Sequence, residues 1–224
     1  MKKRAFAGFN FRINAFKTRL NALTLRLFKN PSLLESSYLE SAVKQFRYYK
    51  MLGEKAMSQL TPAQLFESAN EDTNSIAVIV QHLAGNMLSR WTDFLTTDGE
   101  KPWRDRDGEF TQTLATADEV LDLWNRGWQC LFDALAGLTD AHLAQIIYIR
   151  NEGHTVMEAI NRQLAHYPYH VGQMVFYAKQ LKSGPWESLS IPRNRSQEYN
   201  AGKFAREKGV RHFTDAELDP EQPT

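Results

Sequence analysis

Apolar positions recur at alternating steps of four and three along four long stretches of the chain. That spacing keeps one side of an α-helix apolar and predicts a packing seam. In the first stretch the seam is Ala42, Phe46, Tyr49, Gly53, Ala56 and Leu60. Asn30-Pro31-Ser32 opens it, with Pro31 ending the preceding segment and Ser32 placed to cap the new helix. Thr61, Pro62 and Gln64 then predict a short capped turn.

Asp72-Thr-Asn-Ser75 offers caps for a second helix, expected to reach about Thr97, with Ile76, Ile79, Val80, Leu83, Met87 and Phe94 on its apolar side. His82, Asn86, Ser89 and Asp93 fall on a neighbouring polar stripe. Asp98 to Thr113 reads as a charged loop, with Trp103 and Phe110 expected to anchor it. A capping box at Thr116 and Glu119 opens a third helix, seamed by Val120, Trp124, Gly127, Leu131, Ala134 and Leu138. Leu138-Thr-Asp-Ala-His-Leu143 echoes Leu60-Thr-Pro-Ala-Gln-Leu65, a hint of two helical hairpins related by duplication. Residues 145–150 are β-rich and run into a turn signal at Asn151-Glu-Gly-His154, which predicts a short extended excursion. Thr155 and Glu158 box the start of a fourth helix, with Ile160, Leu164, Tyr167, Val171, Met174, Ala178 and Leu181 in its seam and Gly184-Pro185 at its end. Beyond it only a short helix over Ala201–Lys208 is expected, before an acidic, Pro-containing end.

Four such segments predict an all-α fold, a four-helix bundle with a long loop between helices two and three. The expected organisation is a basic N-terminal extension over 1–31, the bundle over 32–183, and a C-terminal extension over 184–224 that packs on the bundle and frays at its tip.

Composition changes this picture little: 42% hydrophobic and 24% charged residues with a net charge of +1 are ordinary for a globular chain of 224 residues. That balance favours neither nucleic acid nor an acidic partner. The first thirty residues carry basic side chains and no Asp or Glu, with charges breaking any apolar core of the secretory type. They have some features of an organellar presequence, but a helical extension packing on the domain, or non-essential residues added by an upstream start codon, is the preferred reading. A single cysteine, Cys130, excludes an internal disulfide and a Cys-rich metal site; it is expected to be a small buried hydrophobe. No apolar run approaches the length of a membrane span. A cytoplasmic protein without membrane or nucleic-acid partners is the expectation.

The candidate chemistry is in Gln163-Leu-Ala-His-Tyr-Pro-Tyr-His-Val-Gly-Gln173. His166 and His170 are one helical turn apart on the same side of a helix and can reach one metal ion; His82, on the second helix, supplies a third imidazole. Pro168 between them removes an amide donor, a cost kept in a helix where local geometry matters. No Glu follows the first His, so the helical zinc-protease signature is not met. The residues alone leave two readings open: metal ligands, or half-buried histidines satisfied at the edge of a core. His142, His154 and His212 carry no such pattern.

The Asn74-Ser-Ile-Ala-Val-Ile-Val-Gln-His82 stretch, together with His166-Tyr-Pro-Tyr-His170-Val-Gly-Gln173, resembles the DinB/YfiT-like superfamily of metal-dependent bundle proteins over about residues 33 to 183. Trp103-Arg-Asp-Arg-Asp-Gly-Glu-Phe110 and Ser190-Ile-Pro-Arg-Asn-Arg-Ser196 look like an uncharacterised branch of it. The resemblance implies that His82, His166 and His170 bind zinc or nickel. It also implies thiol-dependent S-transferase chemistry with a low-molecular-weight thiol as co-substrate. In that reading Asn86, Gln173 and Tyr177 orient a small-molecule substrate, while Arg104 and Arg106 recognise a carboxylate if their loop covers the pocket. A metal-dependent hydrolase and a non-enzymatic metal-binding stress-response module are the alternatives. A homodimer suits such a bundle, with an exposed tryptophan loop as a candidate interface.

Overall fold

The structure, a computed structural model, describes residues 31–218. The basic N-terminal stretch and the acidic tip beyond 218, for which an extension and a frayed end are expected, lie outside the described residues. The chain is mostly helical. Helix α1 (Pro31–Met57), α2 (Ile76–Trp91), α3 (Ala117–Ala136) and α4 (Val156–Leu181) are joined by loops and one hairpin, β1 (Ile146–Ile149) with β2 (Glu152–Thr155); two short helices follow, α5 (Ser196–Phe204) and α6 (Asp215–Leu218). No helix among the described residues is long and apolar enough to cross a membrane.

Local chemistry sets the helix starts. The Ser75 hydroxyl accepts from the Val78 amide at the head of α2, and both halves of the capping box form at Thr116–Glu119 and at Thr155–Glu158. α2 stops earlier than its apolar pattern suggests. Asp93 adopts φ 47°, and its carbonyl accepts the amides of Thr96 and Thr97, which turns the chain out of the helix. Asp tolerates that left-handed conformation better than most residues. Phe94 stays buried through the turn, edge-on to Trp91 at 5.2 Å between ring centroids, so the apolar pattern continues where the helix does not. α4 runs unbroken through Pro168.

α2 packs along α3 and α1 along α4, with α2 also touching α4. The seams meet in one core centred on Phe46, Leu83, Trp124, Trp128, Tyr167 and Met174, all fully buried. Tyr167 lies 5.8 Å from both Phe46 and Trp128, ring to ring. Aromatic residues of this size dominate core energetics. At Gly127 α3 approaches α2 closely: a Cβ there would meet the Ala84 backbone at 2.9 Å. The two echoed turns take the same form, with Thr61 and Gln64 capping each other in one and Thr139 and His142 in the other.

The β hairpin supplies the extended excursion. Ile147 and Ile149 point into the protein while Ile146 and Tyr148 face out. Its two-residue turn puts Arg150 and Asn151 at φ 56° and 62°, the primed-turn geometry that fits a right-handed hairpin. Asp98 holds that turn, its carboxylate accepting the Arg150 amide at 2.8 Å and the Asn151 amide at 2.9 Å.

The loop between α2 and α3 is anchored only in part by its aromatics. Trp103 is 59% exposed, while Phe110, 38% exposed, stacks on the His82 ring. The loop is held instead by buried charge: Lys101, Arg104 and Glu109 each have side chains less than a tenth exposed. Near the C-terminus, helix α5 begins five residues before the expected start. His212, which the sequence leaves without a role, ties the tail to α1 through the Ser41 hydroxyl at 3.0 Å, beside an ion pair of Lys44 with Asp215 at 2.9 Å.

Candidate metal centre

α2 and α4 bring His82, His166 and His170 together. One ring nitrogen from each lies within 4.8 Å of the others, and the Nε2 atoms of His82 and His166 are 3.4 Å apart. Two nitrogens bound to a single zinc at about 2.0–2.1 Å with tetrahedral angles are separated by about 3.4 Å, which the His82–His166 pair matches.

The other nitrogen of each ring is already occupied. His82 Nδ1 lies 2.9 Å from Glu109 Oε2, His166 Nδ1 3.2 Å from Gln163 Oε1, and His170 Nδ1 2.8 Å from Gln173 Oε1. An oxygen acceptor makes each Nδ1 the protonated nitrogen and leaves Nε2 with its lone pair, which is how a ligating histidine is oriented. The two glutamines do this from their own helix, three residues before His166 and three after His170. Phe110 stacks on the His82 ring at 4.8 Å and restrains its plane.

The electrostatics favour the neutral form of His166 and of His170. Burial, then the neighbouring His170, His82, Arg104 and Arg162, pushes His166 down to about 3, and burial also lowers His170. The Nε2 atoms of His82 and His166 face each other across 3.4 Å, an arrangement that a cation bound between two lone pairs would stabilise. Among the described residues the cluster takes in no cysteine or carboxylate. Three ligands with an open position are the donor set of a catalytic rather than a structural site.

This arrangement makes the metal-free protein sensitive to pH. With His166 near 3 when folded and 6.5 otherwise, the unfolded chain binds the extra proton between those values. Stability therefore falls as the pH drops from about 6.5 towards 3. His170 adds to it in the same direction. Glu109 contributes only further down, where the pH falls through its lowered folded value. The melting temperature of metal-free protein should decline on acidification from pH 6.5 to 5, and His166→Gln should flatten that decline. An equal decline in the variant would show that other groups carry it.

The histidines open onto a cavity of about 360 Å³ lined also by Asn86, Arg104 and Arg106. The sequence-predicted substrate residues are thus divided. Asn86 lines the cavity, but its Oδ1 accepts the Tyr167 hydroxyl at 3.1 Å. Arg106 is half exposed over the Phe110 ring. Arg104 is only 2% exposed, and its fork is committed to Glu109 at 2.7 and 2.9 Å. Gln173 reaches His170 and, with Tyr177, lines a different cavity.

Glu109 is the site residue that the sequence did not reveal. Burial pushes its carboxyl up, but hydrogen bonds from His82 and Arg104 outweigh this and hold it below the usual range. Its one trace in the sequence is Gly85, one turn after His82, where any Cβ would overlap the Glu109 carboxylate. Arg162, four residues before His166 on the same face, is legible on the helical wheel. Cys130 is half-buried, and burial pushes its thiol up, which disfavours the thiolate a nucleophile needs.

Fold and site together define a helical domain whose three histidines can hold a metal ion. A family model described as a protein of unknown function (DUF1572) matches residues 34–195, most of the chain and all three histidines. The chain belongs to the DUF1572 family. No curated protein and no solved structure gives a significant match.

Proposed function

We propose that this chain is a metal-dependent enzyme of the DinB/YfiT-like superfamily, its four long helices forming that superfamily's bundle. The proposed ligands of zinc or nickel are His82, His166 and His170. The observation that carries the reading is the convergence of three imidazoles whose Nδ1 atoms are each held by an oxygen. A divalent metal there would act as a Lewis acid, lowering the pKa of a bound thiol or water towards neutrality.

The chain's own residues would do the rest. Glu109, Gln163 and Gln173 hold the rings in their ligating orientation, and Phe110 shields the His82 side from water. The proposed reaction is attack of a low-molecular-weight thiol, its proton lost to solvent, on the carbon of a small electrophile: the sulfur–carbon bond forms as the bond from that carbon to a leaving group breaks, and the leaving group departs with the bonding pair. A hydrolase is the less favoured reading for a specific reason: the cavity lining contains no carboxylate to act as general base, and nearby Glu109 is committed to Arg104 and His82.

A screen of metal-loaded protein with an alkylating electrophile tests this, run with and without added thiol. Thiol adduct formed only with metal, and lost in His166→Ala, is the expected result. Electrophile hydrolysed equally well without thiol would replace the transferase with the hydrolase. Metal bound with neither product formed would leave a binding module.

A further inference from the structure

The wall facing the histidines is built from arginine. Arg90 on α2, Arg104 and Arg106 on the long loop, Arg150 on the hairpin turn and Arg162 on α4 all line the cavity, and no carboxylate does. Convergence from four separate elements distinguishes this from a solvated run of charge along one surface helix.

Pairing within the protein does not neutralise them. Glu100 is shared by Arg90, Arg104 and Arg150 at 3.1, 3.6 and 3.0 Å. Glu109 pairs with Arg104, and Asp107 with Arg106 at 3.6 Å. Arg162 is exposed and has no ion-pair partner among the described residues. Five guanidiniums thus meet three carboxylates, an excess of two positive charges around a small cavity.

The arginines also divide by role. Arg104 is buried and fixed by two hydrogen bonds to Glu109, so it braces the site. Arg90 is 6% exposed, and its Nε has no partner. Arg150 is 54% exposed and Arg106 51%, which leaves both available to a ligand. A structural account covers Arg90 and Arg104 but gives no reason for Arg162 to stand unpaired beside the histidines.

We infer that the ligand of this cavity is a small molecule with at least two negative charges, of carboxylate or phosphate type. Arg162 and Arg150 hold it at the rim, with Arg106 beside them, and its reacting end is turned to His82, His166 and His170. Planar guanidinium forks match carboxylate and phosphate oxygens two at a time. A cavity of about 360 Å³ is at the small end of the roughly 300–1,000 Å³ range of small-molecule sites, which suits a compact dianion. This inference deepens the metal-enzyme reading and rests on it for the reacting end, but anion binding is measurable without metal.

The test is calorimetric titration of the full, metal-free chain at low salt with succinate, inorganic phosphate and, as the uncharged control, succinamide. At least one dianion should bind while succinamide does not. Preference for succinate assigns a dicarboxylate and preference for phosphate a phosphoryl group. Arg162→Gln and Arg150→Gln should each weaken binding by about 10-fold or more, as expected for a lost charged hydrogen bond. Because the titration is run without metal, failure of the metal reading and failure of this one are separable. Dianions bound no better than succinamide, or binding indifferent to both arginine substitutions, overturns the proposal.

Discussion

His166→Ala should abolish metal binding. Wild-type protein dialysed against zinc or nickel and then freed of excess is expected to carry close to one ion per chain by elemental analysis, and the variant almost none. His166 is within ring-contact distance of His82 and His170, at 5.5 and 4.8 Å between centroids. Removing it leaves two imidazoles on different helices. The loss should exceed the roughly 10–100-fold change typical of altering a residue behind a metal ligand. Thermal denaturation gives a second readout. An ion at about 1,000 times its dissociation constant stabilises the wild type by about 4 kcal/mol, and the variant should show no such shift. The metal-free variant should be no less stable than metal-free wild type at pH 6, because it loses a ring that burial and two neighbouring imidazoles hold far below its ordinary pKa. His142→Ala is the control, since that ring caps the Thr139 turn and should keep the full metal content. Metal retained by His166→Ala, or absent from wild type after reconstitution, would return the histidines to the polar edge of a core.

How much of the molecule is legible in its sequence depends on the range of the interactions involved. The helices are readable because their seams and capping boxes are local: Thr116 with Glu119, and Thr155 with Glu158, lie within one turn. The His166–His170 pair is readable for the same reason. The expected α2 is too long because apolar spacing reports burial and not backbone, and Phe94 is buried on a turn. The long loop departs from expectation because aromatic residues are the usual anchors. Here Arg104 and Glu109 neutralise each other, and mutual pairing is what lets charge be buried. Glu109 meets His82 across 27 residues, and the arginines converge from four elements. No periodicity encodes such contacts. They exist only once the loop and the hairpin have docked, and Asp98, which holds the hairpin turn and the backbone of Glu100 together, is the hinge of that arrangement.

Glu109 carries the second large prediction, and its two substitutions should separate stability from metal affinity. Glu109→Ala leaves Arg104, 2% exposed, without its buried partner and His82 Nδ1 without an acceptor. Breaking a buried ion pair from one side costs about 3–5 kcal/mol, so this variant should melt well below wild type with or without metal. Glu109→Gln keeps the shape but has one acceptor oxygen where two are used, by His82 through Oε2 and by Arg104 through both. If the amide oxygen turns to Arg104, its NH2 faces His82 Nδ1, which favours the tautomer with the proton on Nε2, where the metal must bind. Metal affinity should fall by about 10–100-fold, with a smaller loss of stability than in Glu109→Ala. Arg104→Gln supplies the contrast. It breaks the same ion pair but leaves Glu109 free to hold His82, so it should lose stability while keeping most of its metal affinity. A positioning role for Glu109 predicts that affinity follows the His82 hydrogen bond and stability follows the ion pair. Equal affinity losses in Glu109→Gln and Arg104→Gln would reduce Glu109 to a brace for the loop.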